Sequence, residues 1–282
     1  MKSLEMALNL SRQNLTRIVI EGKVLKCYRG DELFQEHSFE KISNLDCSYN
    51  QLTSLPDALP EGLKELYCYC NRLTSLPDNL PRLKWLYCFR NQLTSLPDNL
   101  PEGLIILNCS ENQLTSLPET LPGCLTTLSC FGNSLTSLPN NLPEGLKTLH
   151  CSENQLTSLP NNLPEGLIIL NCSENQLISL PNNLPVSLET LNSSYNQLTS
   201  LPDTLPRGLK ELYCIKNPLK YVPFLPERPK YLFVPEEFEE KHSSERYPEY
   251  YQKQQRNRYL IRLFFSEMGF SDDFLKTELE KE

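Results

Sequence analysis

The strongest constraint on the fold of this chain is an internal repeat of about 21 residues. An asparagine recurs nine times at intervals of 21 residues, with one interval of 20. Two residues separate each asparagine from a preceding Leu-x-Cys or Leu-x-Ser, and x-Leu follows it. The complete unit reads L-x-x-L-x-C-x-x-N-x-L-T-S-L-P-x-x-L-P-x-G. Such a period predicts a solenoid, in which each repeat forms one coil and buries its apolar side chains against its neighbours. The asparagines are Asn50, Asn71, Asn91, Asn112, Asn133, Asn154, Asn175, Asn196 and Asn217.

The L-x-C segment of each repeat predicts a short β-strand. Side chains alternate between the two faces of a strand, so Leu66 and Cys68 are expected to point inward and Tyr67 outward. One strand per repeat makes a parallel sheet. The asparagine that follows can offer both amide donors and its acceptor to the backbone of the bend.

The L-P-x-x-L-P segment excludes a helix on the opposite side of each coil. Proline fixes φ near −65° and disfavours the helical region for the residue before it. Sixteen of the 22 prolines occupy these paired positions, from Pro56 to Pro206. We therefore predict an extended, polyproline II-like path there.

This unit resembles the leucine-rich repeat (LRR) in its short 20–21-residue form, as found in bacterial effectors of the YopM and IpaH type. The resemblance covers residues 44–234 and implies a curved solenoid whose concave parallel sheet binds another protein. IpaH-type effectors also carry a helical ubiquitin-ligase domain with a catalytic Cys-x-Asp motif. Here the last cysteine, Cys214, lies inside the repeats, and fewer than 50 residues follow Val234, so that domain is not expected.

Three regions are predicted along the chain. Residues 1–43 are interpreted as an N-terminal cap made of a degenerate repeat and a hairpin that turns at Glu21 and Gly22. Residues 44–234 form the solenoid, with nine full repeats and a terminal partial one. Residues 235–282 are predicted to form a small helical C-terminal cap, with a helix from about Tyr247 to Met268.

Composition excludes several classes of function. The chain has 27 basic and 35 acidic residues and a net charge of −8, which argues against binding nucleic acid. Its most apolar stretches are far too short for a membrane span, and residues 1–6 do not resemble a signal peptide. Four basic residues of the predicted C-terminal helix are interpreted as a solvated face: Lys253, Arg256, Arg258 and Arg262.

Eight of the 11 cysteines occupy one position of successive repeats, and Ser193 replaces the ninth. Side chains in parallel register about 4.8 Å apart are poorly placed for disulfides, and a linear array offers no tetrahedral metal cluster. We interpret this cysteine column as buried free thiols, which favours a reducing, cytoplasmic compartment. Cys70 and Cys124 are expected to be exposed, whereas the pattern assigns no place to Cys27. The column is Cys47, Cys68, Cys88, Cys109, Cys130, Cys151, Cys172 and Cys214.

Partner binding is expected at the variable outward positions of the strands, because the repeated positions form the core. Five aromatic residues, including the only tryptophan, fall on two adjacent strands and should form one patch. Two alternatives stay open: strand propensity alone, or an N-terminal segment that folds over the patch as a lid. The predicted partner-binding residues are Glu65, Tyr67, Tyr69, Trp85, Tyr87, Phe89, Ile106 and Phe131.

The sequence thus predicts a non-enzymatic scaffold that binds a protein on its concave face, with no catalytic residue, metal or cofactor. The resemblance implies an effector that is delivered into a host cell. An alternative is a substrate-recognition module for a ubiquitin ligase supplied by another chain. A small-molecule sensor is disfavoured because an open sheet lacks an enclosed pocket. The sequence assigns neither the identity of the partner nor the oligomeric state.

Overall fold

A computed structural model describes residues 6–38, 42–220, 223 and 231–233 of the chain. The chain divides into two units between Val234 and Pro235, and the described residues all belong to the first. The predicted helix at 247–268 and the C-terminal cap lie outside the described residues. The strands are β1 (Met6–Asn9), β2 (Arg17–Glu21), β3 (Val24–Arg29), β4 (Glu32–Ser38), β5 (Ile42–Asp46), β6 (Glu65–Tyr67), β7 (Trp85–Tyr87), β8 (Ile106–Asn108), β9 (Thr127–Ser129), β10 (Thr148–His150), β11 (Ile169–Asn171), β12 (Thr190–Asn192), β13 (Glu211–Tyr213) and β14 (Tyr231–Phe233).

Eleven of these strands form one parallel sheet in the order β1, then β5 to β14. From β6 to β13 each coil contributes a strand of three residues, and equivalent residues pair with one another, as Leu66 does with Leu86. The predicted parallel-sheet solenoid with one strand per repeat is confirmed. The other three strands, β2 to β4, form a separate antiparallel sheet.

The interior of the solenoid is lined by the repeated leucines and cysteines. Leu66 and Cys68 are fully buried, as are their counterparts in the neighbouring strands. The leucines of the L-P-x-x-L-P segment close the opposite side, with Leu55 and Leu59 only 6% and 7% exposed. The inward orientation of the leucine and cysteine columns is therefore confirmed.

Each repeated asparagine links its own coil to the preceding one. The Asn154 side-chain oxygen accepts a hydrogen bond of 2.9 Å from the Leu135 amide. Its Nδ2 donates to the carbonyls of Cys130, Cys151 and Ser152 at 3.0, 3.3 and 2.9 Å. The same pattern recurs along the column and satisfies backbone groups that the bend removes from the sheet.

A tight turn returns the chain from the second proline of each repeat to the next strand. The Leu63 amide donates to the Pro60 carbonyl at 3.0 Å, and later repeats share this bond. In the 20-residue repeat the Leu83 amide donates instead to Pro81, one residue closer in sequence, at 2.6 Å. The turn of this repeat is therefore one residue shorter, and the strands on either side of it stay in register.

The N-terminal residues add one coil to the solenoid. Asn50 donates to the Leu10 carbonyl and accepts from the Leu15 amide, both at 2.9 Å, as later asparagines do with the coil before them. The strand β1 lies beside β5 within the sheet. The coil that contains β1 thus extends the edge of the sheet.

The cysteines are all free thiols, and the eight of the cysteine column are buried. Cys70 is half-buried, so its predicted exposure is wrong: the residue has a φ of 54° in the turn after its strand, and its thiol lies beside Arg90. Cys124 is exposed, as considered above. Cys27, which the repeat could not place, is buried in β3 together with Leu25.

Candidate functional site

The outward side chains of the sheet form three rows. Together these rows make up the face that the resemblance predicts to be concave, and we call it the concave face. The first row precedes the buried leucine of each strand, the second follows it, and the third follows the buried cysteine. In the coil that contains β6 these residues are Glu65 and Tyr67 of the strand and Tyr69, which follows it. Within each row, equivalent residues of adjacent coils stand side by side because the strands pair in register.

Two pairs of aromatic rings stack across β6 and β7. The rings of Tyr67 and Tyr87 lie 5.1 Å apart at 9°, and those of Tyr69 and Phe89 lie 4.3 Å apart at 8°. Adjacent strands are about 4.8 Å apart, so aromatic residues in register stack directly. We call Tyr67, Tyr69, Trp85, Tyr87 and Phe89 the aromatic face.

The structure extends the stack by two residues that the sequence analysis missed. The Tyr49 ring packs edge-on against Tyr69, with centroids 5.2 Å apart, and the Arg12 guanidinium lies 4.5 Å from the Tyr49 centroid. Tyr49 occupies the turn position that Cys70 fills in the next repeat, with a φ of 52°. The repeat pattern identifies that position as a turn but carries no signal for the direction of its ring.

The predicted partner-binding residues differ in accessibility. Glu65, Tyr67, Tyr69, Trp85, Tyr87 and Ile106 are half-buried. Phe89 and Phe131 are only 8% and 6% exposed, and Ser110 separates them in the third row. The accessible part of the predicted surface therefore lies on β6, β7 and the start of β8, where Trp85 pairs with Ile106.

The tyrosines of this surface are held neutral. Burial is the main cause that raises the pKa of Tyr67, Tyr69 and Tyr87 above the ordinary value for a phenol. The Tyr67 hydroxyl also donates a hydrogen bond of 3.0 Å to the Glu65 carboxylate, which raises its pKa further. At neutral pH these rings therefore present uncharged hydroxyls.

The charged side chains of the concave face, among the described rows from β5 to β13, are all acidic. They are Asp46, Glu65 and Glu211. His150 lies in the second row, but burial lowers its pKa to about 4, so it is uncharged at neutral pH. The face therefore carries negative charge without a compensating cation in its own rows.

The geometry offers little support for cysteine or metal chemistry. Burial raises the pKa of Cys109, Cys172 and Cys214 to about 12, so these thiols do not form nucleophilic thiolates at neutral pH. His150 faces outward and Cys151 inward, which separates the one adjacent histidine–cysteine pair. Among the described residues, no group of three or more His, Cys, Asp or Glu side chains could hold a metal ion.

The part of the chain that the structure describes contains no helix long and apolar enough to cross a bilayer.

Comparisons with known proteins agree with the repeat architecture. No family model matches the chain, and no match was found among curated proteins. YopM of Yersinia enterocolitica is 32% identical, over 69% of this chain and 55% of its own, with a TM-score of 0.44. A leucine-rich repeat protein of Leptospira interrogans is 29% identical, over 73% of this chain and 59% of its own, with a TM-score of 0.58.

A third solved structure is the Toll–Spätzle complex of Drosophila. The matched chain is 25% identical, over 64% of this chain and 27% of its own, with a TM-score of 0.55. The present chain therefore spans little more than half of the Yersinia and Leptospira chains, and about a quarter of the Drosophila chain. The repeat period, the parallel sheet and the Leptospira structure agree on one architecture.

Proposed function

The chain is a leucine-rich repeat protein of the short 20–21-residue type, and on that premise we propose that it is a non-enzymatic scaffold that binds a protein partner on its concave face. The aromatic face carries this proposal. Four of its five rings are half-buried, which leaves part of each accessible on one side of the sheet. Tyrosine and tryptophan are enriched among the residues that dominate binding energy at protein interfaces.

The stacked arrangement supports the same conclusion. Rings that already contact one another lose little conformational freedom when a partner covers them, so less of the binding energy is lost in ordering them. Tyr87 and Tyr67 also carry hydroxyls that can form hydrogen bonds with a partner, the Tyr67 hydroxyl as an acceptor because it already donates to Glu65. Glu65 and Ile106 complete the surface on either side of Trp85.

The comparisons support a protein as the partner. The Toll–Spätzle structure is a complex of a chain of this fold with another protein. The short repeat also resembles that of bacterial effectors, and from this resemblance we propose that the partner is a host protein and that the chain acts in a reducing cytoplasm. The column of buried free cysteines is consistent with that compartment.

The proposal is tested by comparing what the wild-type chain and a Trp85→Ala/Tyr87→Ala variant capture from eukaryotic cell lysate and from bacterial lysate. We expect a eukaryotic protein to bind the wild type and to bind the variant at least 100-fold more weakly, because an aromatic residue that acts as a binding hot spot contributes about 2 kcal/mol or more. Quantitative mass spectrometry identifies the captured protein. Because Trp85 is the only tryptophan of the chain and is absent from the variant, affinity is measured for both chains by fluorescence anisotropy of the labelled partner.

A Thr157→Ala/Ser158→Ala variant is the matched control, because both side chains are exposed away from the concave face. It should bind as the wild type does, and both variants should keep the circular dichroism of the wild type. Equal binding by the aromatic variant and the wild type would contradict the proposal. Capture of ubiquitin-ligase components that survives the aromatic substitutions would favour the substrate-recognition alternative.

A further inference from the structure

From the charge and ring geometry of the concave face, we infer that it recognises a cationic segment of its protein partner, with an arginine or lysine seated against Tyr67 between Asp46 and Glu65. This inference rests on the proposed function and names the chemistry of the partner. It draws on three features of the structure: the sign of the charges, their position relative to the rings, and an arginine of the chain itself.

The first feature is the absence of basic side chains from the described rows of the concave face. Asp46 and Glu65 lie on neighbouring strands at one end, and Glu211 lies near the other. The basic residues of the coils that contain β6 and β7 include Lys64 and Lys84, which precede the first row. Arg90 lies in the turn after the third row, where its Nε donates to Glu111 at 2.8 Å. A partner that places a cation on this face therefore meets uncompensated carboxylates.

The second feature is the position of the carboxylates around Tyr67. Asp46 pairs in register with Tyr67, on the side opposite to Tyr87, so one ring face of Tyr67 is directed toward the Asp46 strand. The carboxylate of Glu65 lies at the hydroxyl end of the same ring, at 3.0 Å. A cation on that ring face gains a cation–π contact and two nearby carboxylates together.

The third feature is a contact of this kind within the chain. The guanidinium of Arg12 lies 4.5 Å from the centre of the Tyr49 ring, and Tyr49 packs against Tyr69 of the aromatic face. The edge of the same array of rings therefore already holds one arginine. Since guanidinium groups stack on aromatic rings and pair with carboxylates in a plane, arginine fits this surface better than lysine does.

The experiment measures fluorescence anisotropy of a labelled peptide that alternates arginine with serine, titrated with the full chain. The same peptide with glutamate in place of every arginine is the charge control. We expect saturable binding of the arginine peptide and none of the glutamate peptide. Raising the salt from about 50 to about 150 mM should weaken binding, because the contacts are partly exposed to solvent.

The decisive variant is Asp46→Asn/Glu65→Gln, which keeps the size of both side chains and their capacity to accept hydrogen bonds from Ser48 and Tyr67. We expect it to bind the arginine peptide about five- to tenfold more weakly. A Glu119→Gln/Glu144→Gln variant removes two exposed carboxylates from the opposite side of the coils and should bind within about twofold of the wild type. Thermal melting confirms that both variants fold.

Equal loss of affinity in both double variants would overturn the inference, since it would show a response to net charge alone. Binding of the glutamate peptide, or no binding of the arginine peptide, would overturn it as well. The inference can fail while the proposed function holds. If a captured partner is lost on Trp85→Ala/Tyr87→Ala but retained on Asp46→Asn/Glu65→Gln, the concave face is the binding surface and the cationic segment is wrong.

Discussion

Substitution of Asn154 tests the mechanism that joins one coil to the next. In Asn154→Ala the three carbonyls that receive the amide keep another donor: Cys130 from Asn133 at 3.0 Å, Cys151 from Asn175 at 3.0 Å, and Ser152 from the Gly132 amide at 3.1 Å. The Leu135 amide instead loses its side-chain acceptor. The main loss of stability is therefore expected from the buried Leu135 N–H group, which is left without this acceptor.

An orphaned buried donor costs about 1–3 kcal/mol, and the net loss of the other bonds adds about 1 kcal/mol. We therefore expect Asn154→Ala to lower the free energy of unfolding by about 2–4 kcal/mol. For a folded unit of this size that corresponds to a fall in Tm of about 5–12 °C. Urea denaturation followed by circular dichroism measures this loss of stability. The matched control is Asn161→Ala, because Asn161 is an exposed asparagine in the L-P-x-x-L-P segment that follows Asn154.

A second substitution separates donors from acceptors. Asn154→Asp keeps an acceptor for Leu135 but sets a negative carboxylate against the three carbonyls that Nδ2 now contacts. We expect it to be more damaging than Asn154→Ala at neutral pH and less so as the carboxyl is protonated. If Asn154→Ala unfolds like Asn161→Ala, or if the aspartate variant is as stable as the wild type, the linking role of the asparagine column is refuted.

Two further predictions concern the thiols and His150. In a brief iodoacetamide pulse on the native chain, exposed Cys124 should react first and half-buried Cys70 more slowly, because burial raises the pKa of the Cys70 thiol. The buried cysteine column should react last. Early labelling of Cys109 or Cys151, detected by mass spectrometry, would contradict the inward orientation of the column. Burial lowers the pKa of His150 from 6.5 to about 4. Between pH 6.5 and pH 4 the histidine is therefore protonated in the unfolded chain before it is protonated in the folded chain. The free energy of unfolding falls as the pH drops through this range, by about 3 kcal/mol at pH 4. A His150→Asn variant should lack this part of the pH dependence in urea titrations, and an unchanged profile would show that the histidine is not protected by burial.

The solenoid could be predicted from the sequence because every repeat carries the same pattern of inward apolar residues, asparagine and paired prolines. Leu66 and Cys68 alternate with outward residues, and the paired prolines exclude a helix, so the strand, the core and the extended side follow from local rules. Nine repetitions of one pattern then leave a single arrangement that stacks in register. The shortened repeat kept this register because its turn at Pro81 closes one residue earlier.

The surface was less predictable because side-chain contacts between coils depend on direction as well as position. The repeat positions in the sequence correctly predicted that Tyr67 lies beside Tyr87. They did not predict that the Tyr49 ring packs against Tyr69. The predicted exposure of Cys70 was wrong for a related reason, since a turn residue with positive φ can lay its side chain along the neighbouring coil. The partner-binding role of the aromatic face stays a prediction.

The most direct test of that role is photo-crosslinking from within the concave face. Ile106→p-benzoyl-phenylalanine places the reactive group next to Trp85, its partner in register, without removing a ring of the aromatic face. Thr157→p-benzoyl-phenylalanine places the same group at an exposed position away from the face. With the captured protein present, we expect a crosslinked product from position 106 and none from position 157; a product from 157 alone would contradict binding at the concave face.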